Sequence, residues 1–253
     1  MKSFILKFIL LLFSLFFISS IHAQETKIMI RAKAKDAKFI GSSIGGAEIV
    51  VKNAETQEIL AKGLTTGSTG NTEIIMEKPH QRKPNLSDEE TAGFLAKINL
   101  EKPTFLTIEA KAPINAKQAK VMSSTQLWAI PEKDILGDGV VLEIPGFVVD
   151  ILSPQRHNIY EKNTEIEIKS NIVMMCGCPI TPDGIWNADD YEVKAILSKE
   201  NKTIKEIEMK YDGKPNTFSG KINENPGLYE ITVFAYDANT GNTGVDKTNI
   251  IIN

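Results

Sequence analysis

The side chains with the most distinctive chemistry are two cysteines, Cys176 and Cys178, which are the only cysteines in the chain. They lie in the segment Met174–Pro179 (MMCGCP), together with two of the seven methionines. Apolar residues alternate with polar ones from Ile166 to Met174, which is typical of a strand with one buried face. If the strand keeps its period of two, both thiols lie on the same face as the Met174 thioether.

A disulfide between Cys176 and Cys178 is one interpretation, and an oxidising compartment favours it. In a flat strand, Cα atoms two residues apart are separated by about 6.5 to 7 Å, at the upper edge of what a disulfide spans. Gly177 could bend the chain enough to close the bond. A thiol-disulfide redox role is then an alternative, but thiol oxidoreductases carry Cys-x-x-Cys at the start of a helix, and this pair sits in a strand pattern.

A copper site is the second interpretation, because thiolate and thioether ligands suit Cu(I) better than other common ions. Cys176 and Cys178 would be the principal ligands, and Met174 or Met175 would add a thioether. His157 precedes the strand that leads to the cysteines and could add a nitrogen ligand if its loop folds back. Periplasmic copper carriers are similar in being small β-sandwiches.

Packing alone is the third interpretation, in which small cysteines and adaptable methionines fill a core. The loop that follows, Asp183–Asp190 (DGIWNADD), could shelter the segment with Trp186. An aromatic ring in such a loop is typical of core packing in sandwiches. The aspartates of this loop lack the spacing of an EF-hand calcium site.

The rest of the sequence carries no recognisable catalytic pattern. Gly41–Gly45 (GSSIG) has the letters of a hydrolase nucleophile elbow, but that motif needs a helix after the turn, and here a strand pattern follows. His80 and His157 lack metalloprotease spacing, and there is no Gly-rich phosphate loop with its Lys. The sequence therefore predicts a protein without enzymatic activity.

Short alternating runs separated by Gly, Asn, Pro and Asp continue from Thr26 onward and predict an all-β protein. The turn residues between these runs predict two tandem antiparallel β-sandwiches, over 24–145 and 146–253, with the boundary at Pro145-Gly146. The stretch Gly46–Gly70 resembles the hairpin-rich core of transthyretin-like or carboxypeptidase-regulatory modules of exported proteins. That resemblance implies a sandwich and no particular function.

One short helix is predicted to interrupt the first sandwich, near 87–98. Ser87 could cap this helix, and Glu90 would close a capping box three residues later. Phe94, Leu95 and Ile98 supply an apolar stripe at helical spacing.

Seven candidate strands begin at Phe147, and seven is the number that an immunoglobulin-like sandwich requires. The segment Pro226–Asp237 (PGLYEITVFAYD) resembles the penultimate strand of bacterial Ig-like or fibronectin-type modules. The resemblance implies that Tyr229, Ile231, Val233 and Ala235 face inward, with Tyr229 as a packing and corner residue. The candidate strands cover 147–152, 164–176, 191–198, 203–211, 217–223, 228–237 and 245–252.

Residues 1–23 have the order of a secretory signal peptide, with Lys2 and Lys7 first, then the apolar run Phe8–Ile18, then small residues up to Ala23. The uninterrupted apolar run is shorter than the about 20 residues of a transmembrane helix. We therefore expect no integral membrane segment after cleavage, and a mature protein that is periplasmic or secreted.

Cleavage after Ala23 would remove two of the 29 basic residues and none of the 32 acidic ones, leaving a formal charge of about −5. Nucleic-acid-binding proteins need a basic face, so we expect no nucleic-acid partner. These observations favour a non-enzymatic binding or assembly protein whose partner is an envelope or secreted protein. A copper carrier or accessory factor and a thiol-disulfide redox protein are the alternatives.

Overall fold

The computed structural model describes residues 24–80, 82–83 and 85–253, and the predicted signal peptide over residues 1–23 lies outside them. Strands dominate the described residues, and the helical segments are short turns. The prediction of an all-β protein is confirmed. None of the helical turns in the described part of the chain has the length and apolar character to cross a membrane.

Seven strands build the first part of the chain: β1 (Gln24–Ala34), β2 (Glu48–Asn53), β3 (Ile59–Leu64), β4 (Phe94–Leu100), β5 (Thr104–Ala112), β6 (Val121–Ala129) and β7 (Ile135–Ile144). They form one sheet in the order β4-β1-β7 and another in the order β3-β2-β5-β6. Alternate residues of β4 and β5 are buried, because one face of each sheet contributes to the core.

The helix predicted near 87–98 was wrong, because this segment is a turn that leads into strand β4. Ser87 caps no helix there, since its backbone N–H and its hydroxyl group both donate to the Asp138 carboxylate. The apolar residues also fit period two, and Ala96, Ile98 and Leu100 are all buried. Its backbone pairs with β1 along one edge, and local spacing could not anticipate that partner.

A helical turn does interrupt the same connection between β3 and β4, but it lies earlier in the chain. It is a single π-helical turn over Glu73–Glu77, and Ile75 is its buried residue. A single turn that buries one side chain leaves little periodicity to recognise in the sequence.

Nine strands build the second part: β8 (Phe147–Ser153), β9 (Asn158–Tyr160), β10 (Ile166–Met174), β11 (Glu192–Lys199), β12 (Lys202–Glu208), β13 (Lys210–Tyr211), β14 (Thr217–Ile222), β15 (Gly227–Tyr236) and β16 (Thr243–Ile252). Their sheets have the orders β13-β14-β10-β8 and β12-β11-β15-β16-β9. The single strand expected over 203–211 is divided at Met209, so that β12 and β13 belong to different sheets.

Most strand pairs are antiparallel as expected, but two are parallel. β1 runs parallel to β7, and β9 runs parallel to β16. Each of these pairs joins an early strand of one part of the chain to the last strand of the same part. The directions follow from the number of chain reversals between the two strands, which strand patterns alone do not specify.

The residues of β15 expected to face inward are all buried. Tyr229, Ile231, Val233 and Ala235 have exposed fractions of 3% or less. The Tyr229 hydroxyl group donates to the carbonyl oxygen of Asn225 at 2.7 Å. Tyr229 therefore combines core packing with a hydrogen bond that holds the preceding corner.

We predict that Ile108→Ala lowers the free energy of unfolding by about 2 to 5 kcal/mol, because it leaves a cavity in the core. Ile108 is fully buried in β5. Ile59→Ala in β3 is the matched control, since Ile59 is 57% exposed, and a change within about 0.5 kcal/mol is expected there. Urea denaturation measures both, and equal losses for the two variants would contradict this core assignment.

Candidate functional site

The cysteine segment forms a tight turn at the end of β10 instead of extending the strand. The Gly177 N–H donates to the Met174 carbonyl oxygen at 2.7 Å, and the Met174 N–H donates to the Cys178 carbonyl oxygen at 3.1 Å. Gly177 has a φ of 78°, a conformation that glycine adopts without steric cost. The expectation that the strand continues with period two through Cys178 was therefore wrong.

This turn brings the two cysteines into disulfide range. Their Cα atoms are 5.4 Å apart, closer than a flat strand allows, and their sulfur atoms are bonded to each other. Cys176 is 1% exposed and Cys178 is 5% exposed, whereas Gly177 between them is exposed. Thiol-disulfide exchange requires a thiolate to reach a sulfur atom, so this burial works against rapid redox cycling.

The methionines that were candidate copper ligands pack into the interior. Met174 is fully buried, and its sulfur atom accepts a hydrogen bond from the Tyr191 hydroxyl group at 3.9 Å. Met175 is 1% exposed and lies beside Gly146, at the start of the second part of the chain. The structure thus brings both thioethers and both cysteines into one segment, but the cysteine sulfurs are already bonded to each other.

His157 lies beyond the far end of strand β8, away from the cysteine turn. Phe147 at the start of β8 pairs with Met174, and Ser153 at its end pairs with Lys169. The seven residues of β8 span about 20 Å at the rise of a strand, and His157 follows the far end. Its N–H donates to the Asn249 carbonyl oxygen. The structure therefore does not bring His157 to the other proposed ligands.

Metal-ligand groupings are equally scarce elsewhere. In residues 24–80, 82–83 and 85–253, no three side chains of His, Cys, Asp or Glu are grouped so that they could hold a metal ion. A copper site at this turn stays a prediction, and it would first require reduction of the disulfide.

The cysteine turn lies at the junction between the two parts of the chain. Gly177 faces Ile44, since a Cβ atom on Gly177 would be 3.5 Å from Ile44 Cδ1. Trp186, in the loop that follows, is 5% exposed, and its indole N–H donates to the Asp36 carbonyl oxygen at 2.8 Å. Trp186 thus packs as expected for a sandwich loop, and it also connects the two parts.

Asn242 is a junction residue that sequence reasoning missed. Its side chain is fully buried, and its Oδ1 atom accepts from the Gly146 N–H at 2.8 Å while its Nδ2 atom donates to the Lys35 carbonyl oxygen at 3.1 Å. An asparagine in a predicted hairpin loop gives no local signal of this role, because such residues are common in turns.

Gln118 makes a third polar connection across the junction. Its Nε2 atom donates to the Val149 carbonyl oxygen at 3.1 Å and to the Asp150 carboxylate. Burial raises the pKa of Asp150, the nearby Asp246 carboxylate raises it further, and the hydrogen bond from Gln118 opposes these effects. A charged Asp150 is therefore disfavoured in the folded protein.

Acidic residues from both parts of the chain lie near Tyr191, beside the cysteine turn. The pKa of Tyr191 lies well above its usual value, because the hydroxyl group is desolvated and Asp237, Asp36 and Asp190 disfavour a phenolate. Asp237 is 2% exposed, and its carboxylate accepts from the Asn239 N–H and the Thr240 hydroxyl group. Tyr191 is thus held neutral, as a hydrogen-bond donor to the Met174 sulfur atom.

We predict that a thiol-blocking reagent adds no label to the native mature protein and two labels after unfolding with reductant, because the cysteines are bonded and buried. Cys176→Ser/Cys178→Ser should lose about 1 to 2 kcal/mol of unfolding free energy, since the bond closes a very short loop. Mass spectrometry and urea denaturation measure these outcomes. Two labels on the native protein would contradict the bonded state.

We predict that Asp150→Asn raises the melting temperature at pH 7 and that the difference shrinks as the pH falls through the raised folded-state pKa toward about 4, the pKa of an unperturbed aspartate. A carboxyl group whose pKa is raised by folding favours the folded state when protonated, and this contribution is lost as the pH rises through the folded-state pKa. Asp189→Asn, in an exposed turn, is the control. A lower melting temperature for Asp150→Asn at pH 7 would refute the assignment.

Comparison with known proteins identifies no specific relative. No family model and no curated protein matches the chain. The solved structures that match include fibronectin(III)-like modules of Clostridium thermocellum CbhA, with 14% identity over 93% of this chain and 92% of that chain at a TM-score of 0.30. An I-band fragment of titin matches with 13% identity over 91% of this chain and 60% of that chain, at a TM-score of 0.27.

A Cellulomonas fimi endo-β-1,4-mannanase double mutant matches with 16% identity over 45% of this chain, at a TM-score of 0.26. The match covers 20% of the mannanase chain, so this protein spans about a fifth of that enzyme's length. The likenesses agree with a generic resemblance to fibronectin-type and Ig-like sandwiches. At these TM-scores they carry no argument about function.

Proposed function

We propose that the protein is exported, to the periplasm or the medium, and acts there as a non-enzymatic binding or assembly protein for an envelope or secreted protein. The observation that carries this proposal is an aromatic and aliphatic surface on the first sandwich. We call it the β6 patch, and it consists of Phe105, Trp128, Ile130 and Leu136.

The β6 patch exposes large apolar side chains at the end of β6, just after it and in β7. Trp128 is 59% exposed, Ile130 is 48% exposed and Leu136 is 55% exposed. The Trp128 ring packs against the half-buried Phe105 ring with centroids 5.1 Å apart, which holds the indole in place. Grouped exposed apolar residues are typical of interaction sites, and aromatic residues are enriched in the centres of interfaces.

The state of the cysteines supports the non-enzymatic part of the proposal. Cys176 and Cys178 carry the chain's most reactive side chains, and they are bonded to each other and buried. A buried, bonded pair is unavailable as a nucleophile. Its position at the junction instead suits a structural role, which stiffens the turn that faces Ile44.

Two features support export. Residues 1–23 have the composition of a signal peptide. The Cys176–Cys178 bond suits an oxidising compartment, since cytosolic reductants keep most thiols reduced.

We predict that Trp128→Ala reduces capture of the partner at least tenfold, since central aromatic residues carry much of the binding energy of an interface. The experiment uses tagged mature protein, chemical crosslinking in the native envelope fraction, and quantitative mass spectrometry of what is recovered. Leu228→Ala is the matched control, because Leu228 is 60% exposed but lies in the second sandwich.

The Cys176→Ser/Cys178→Ser variant should retain the partner, provided that it is folded. A partner retained by Trp128→Ala but lost with Leu228→Ala would refute the β6 patch as the binding surface. Loss of the partner in a folded cysteine variant would point to the cysteine turn as the functional site instead.

A further inference from the structure

Strand β6 presents an edge that no other strand among the described residues pairs with. It is the last strand in the sheet order β3-β2-β5-β6 and covers nine residues, Val121–Ala129. Its sequence, VMSSTQLWA, contains no charged residue and no proline. Such an edge offers its free N–H and C=O groups to another strand.

The other edge strands of the described sheets differ from β6. β3, β4, β7, β8, β12 and β13 each carry at least one charged residue, and β9 is only three residues long. Charges and short lengths are the common protections of sheet edges against pairing with another chain. β6 alone combines full strand length with the lack of such protection.

The geometry of β6 is regular as well. Its pairing with β5 runs without a register shift from Thr104 opposite Ala129 to Ala112 opposite Val121. Bulges, which twist an edge away from incoming strands, are therefore missing from this pair. A further strand could add along the whole length of β6.

The sequence of β6 is complementary to itself in the antiparallel direction. With Thr125 opposite Thr125 of a second copy, Met122 lies opposite Trp128 and Ser124 opposite Gln126, all on one sheet face. Met122 and Trp128 are 56% and 59% exposed, and the pairing would bring them into contact and lower the exposure of both. Methionine sulfur also makes favourable contacts with aromatic rings.

The charges at the two ends of β6 also favour this arrangement. Lys117 and Lys120 precede the strand, whereas Glu132, Lys133 and Asp134 follow it. An antiparallel pair directs the basic flank of each copy toward the net acidic flank of the other. No like charges meet within the strand, because β6 has none.

We propose that the partner of β6 is a second copy of this chain, paired antiparallel about a two-fold axis at Thr125. The two four-stranded sheets would join into one continuous sheet, and the interface is isologous because each copy supplies the same strand. This inference rests on the proposed assembly function and names one of its partners.

Sedimentation equilibrium of the purified mature protein tests the dimer. We expect a monomer–dimer equilibrium in which Thr125→Lys raises the dissociation constant at least tenfold, because two ammonium groups would meet at the axis. Leu64→Lys, on the opposite edge strand of the same sheet, is the matched control and should leave the equilibrium unchanged. Thr125 is exposed, and circular dichroism checks that both variants fold.

Single-cysteine crosslinking tests the register. Under mild oxidation Thr125→Cys should form a covalent dimer with itself, whereas Ser123→Cys, which would face Leu127, should not. Crosslinking of Ser123→Cys in preference to Thr125→Cys, or a monomer at every concentration, would overturn the proposal. A third outcome is that the purified protein is a monomer and that Thr125→Lys abolishes capture of the envelope partner. That result would show that the β6 edge binds a different protein, which would overturn self-pairing but not the proposed binding function.

Discussion

Backbone pairing within open sheets is the constraint on which the rest of this structure depends. Each strand satisfies its main-chain groups through its neighbours and buries one face, so that two edges remain on each of the four sheets. Charged residues occupy nearly all of these edges. The chain thus buries its apolar residues between sheets, and charged residues hinder the pairing of most edges with other strands. β6 is the full-length edge strand that carries no such charge.

The junction between the two sandwiches is made of a few buried polar groups that bind main-chain atoms. Asn242, Gln118 and Trp186 each contact a backbone N–H or carbonyl group across or beside the junction. Leaving such a group unsatisfied costs about 1 to 3 kcal/mol. These contacts therefore favour one particular docking of the two sandwiches. Apolar contacts alone would specify that arrangement less precisely, because they are not directional.

The cysteine turn is part of this junction, where Gly177 faces Ile44 of the first sandwich. Gly177 reverses the chain, the sulfur atoms bond, and the Met174 sulfur accepts from Tyr191 in the interior. The cysteines and methionines that suggested copper or redox chemistry are thus buried in this structure. The binding surface that we propose lies instead on the first sandwich, at the β6 patch.

Local patterns in the sequence determined the fold class and the inward faces of strands such as β15. The period of two of a strand is visible in the alternation of apolar and polar residues at consecutive positions. They also indicated that Cys176 and Cys178 could bond if Gly177 bent the chain. Tertiary structure decided that the segment near 87–98 pairs as a strand, that His157 lies far from the cysteines, and that Asn242 joins the two parts. Each of these depends on which distant segment supplies the hydrogen-bond partner, and that choice is made by packing between residues far apart in sequence.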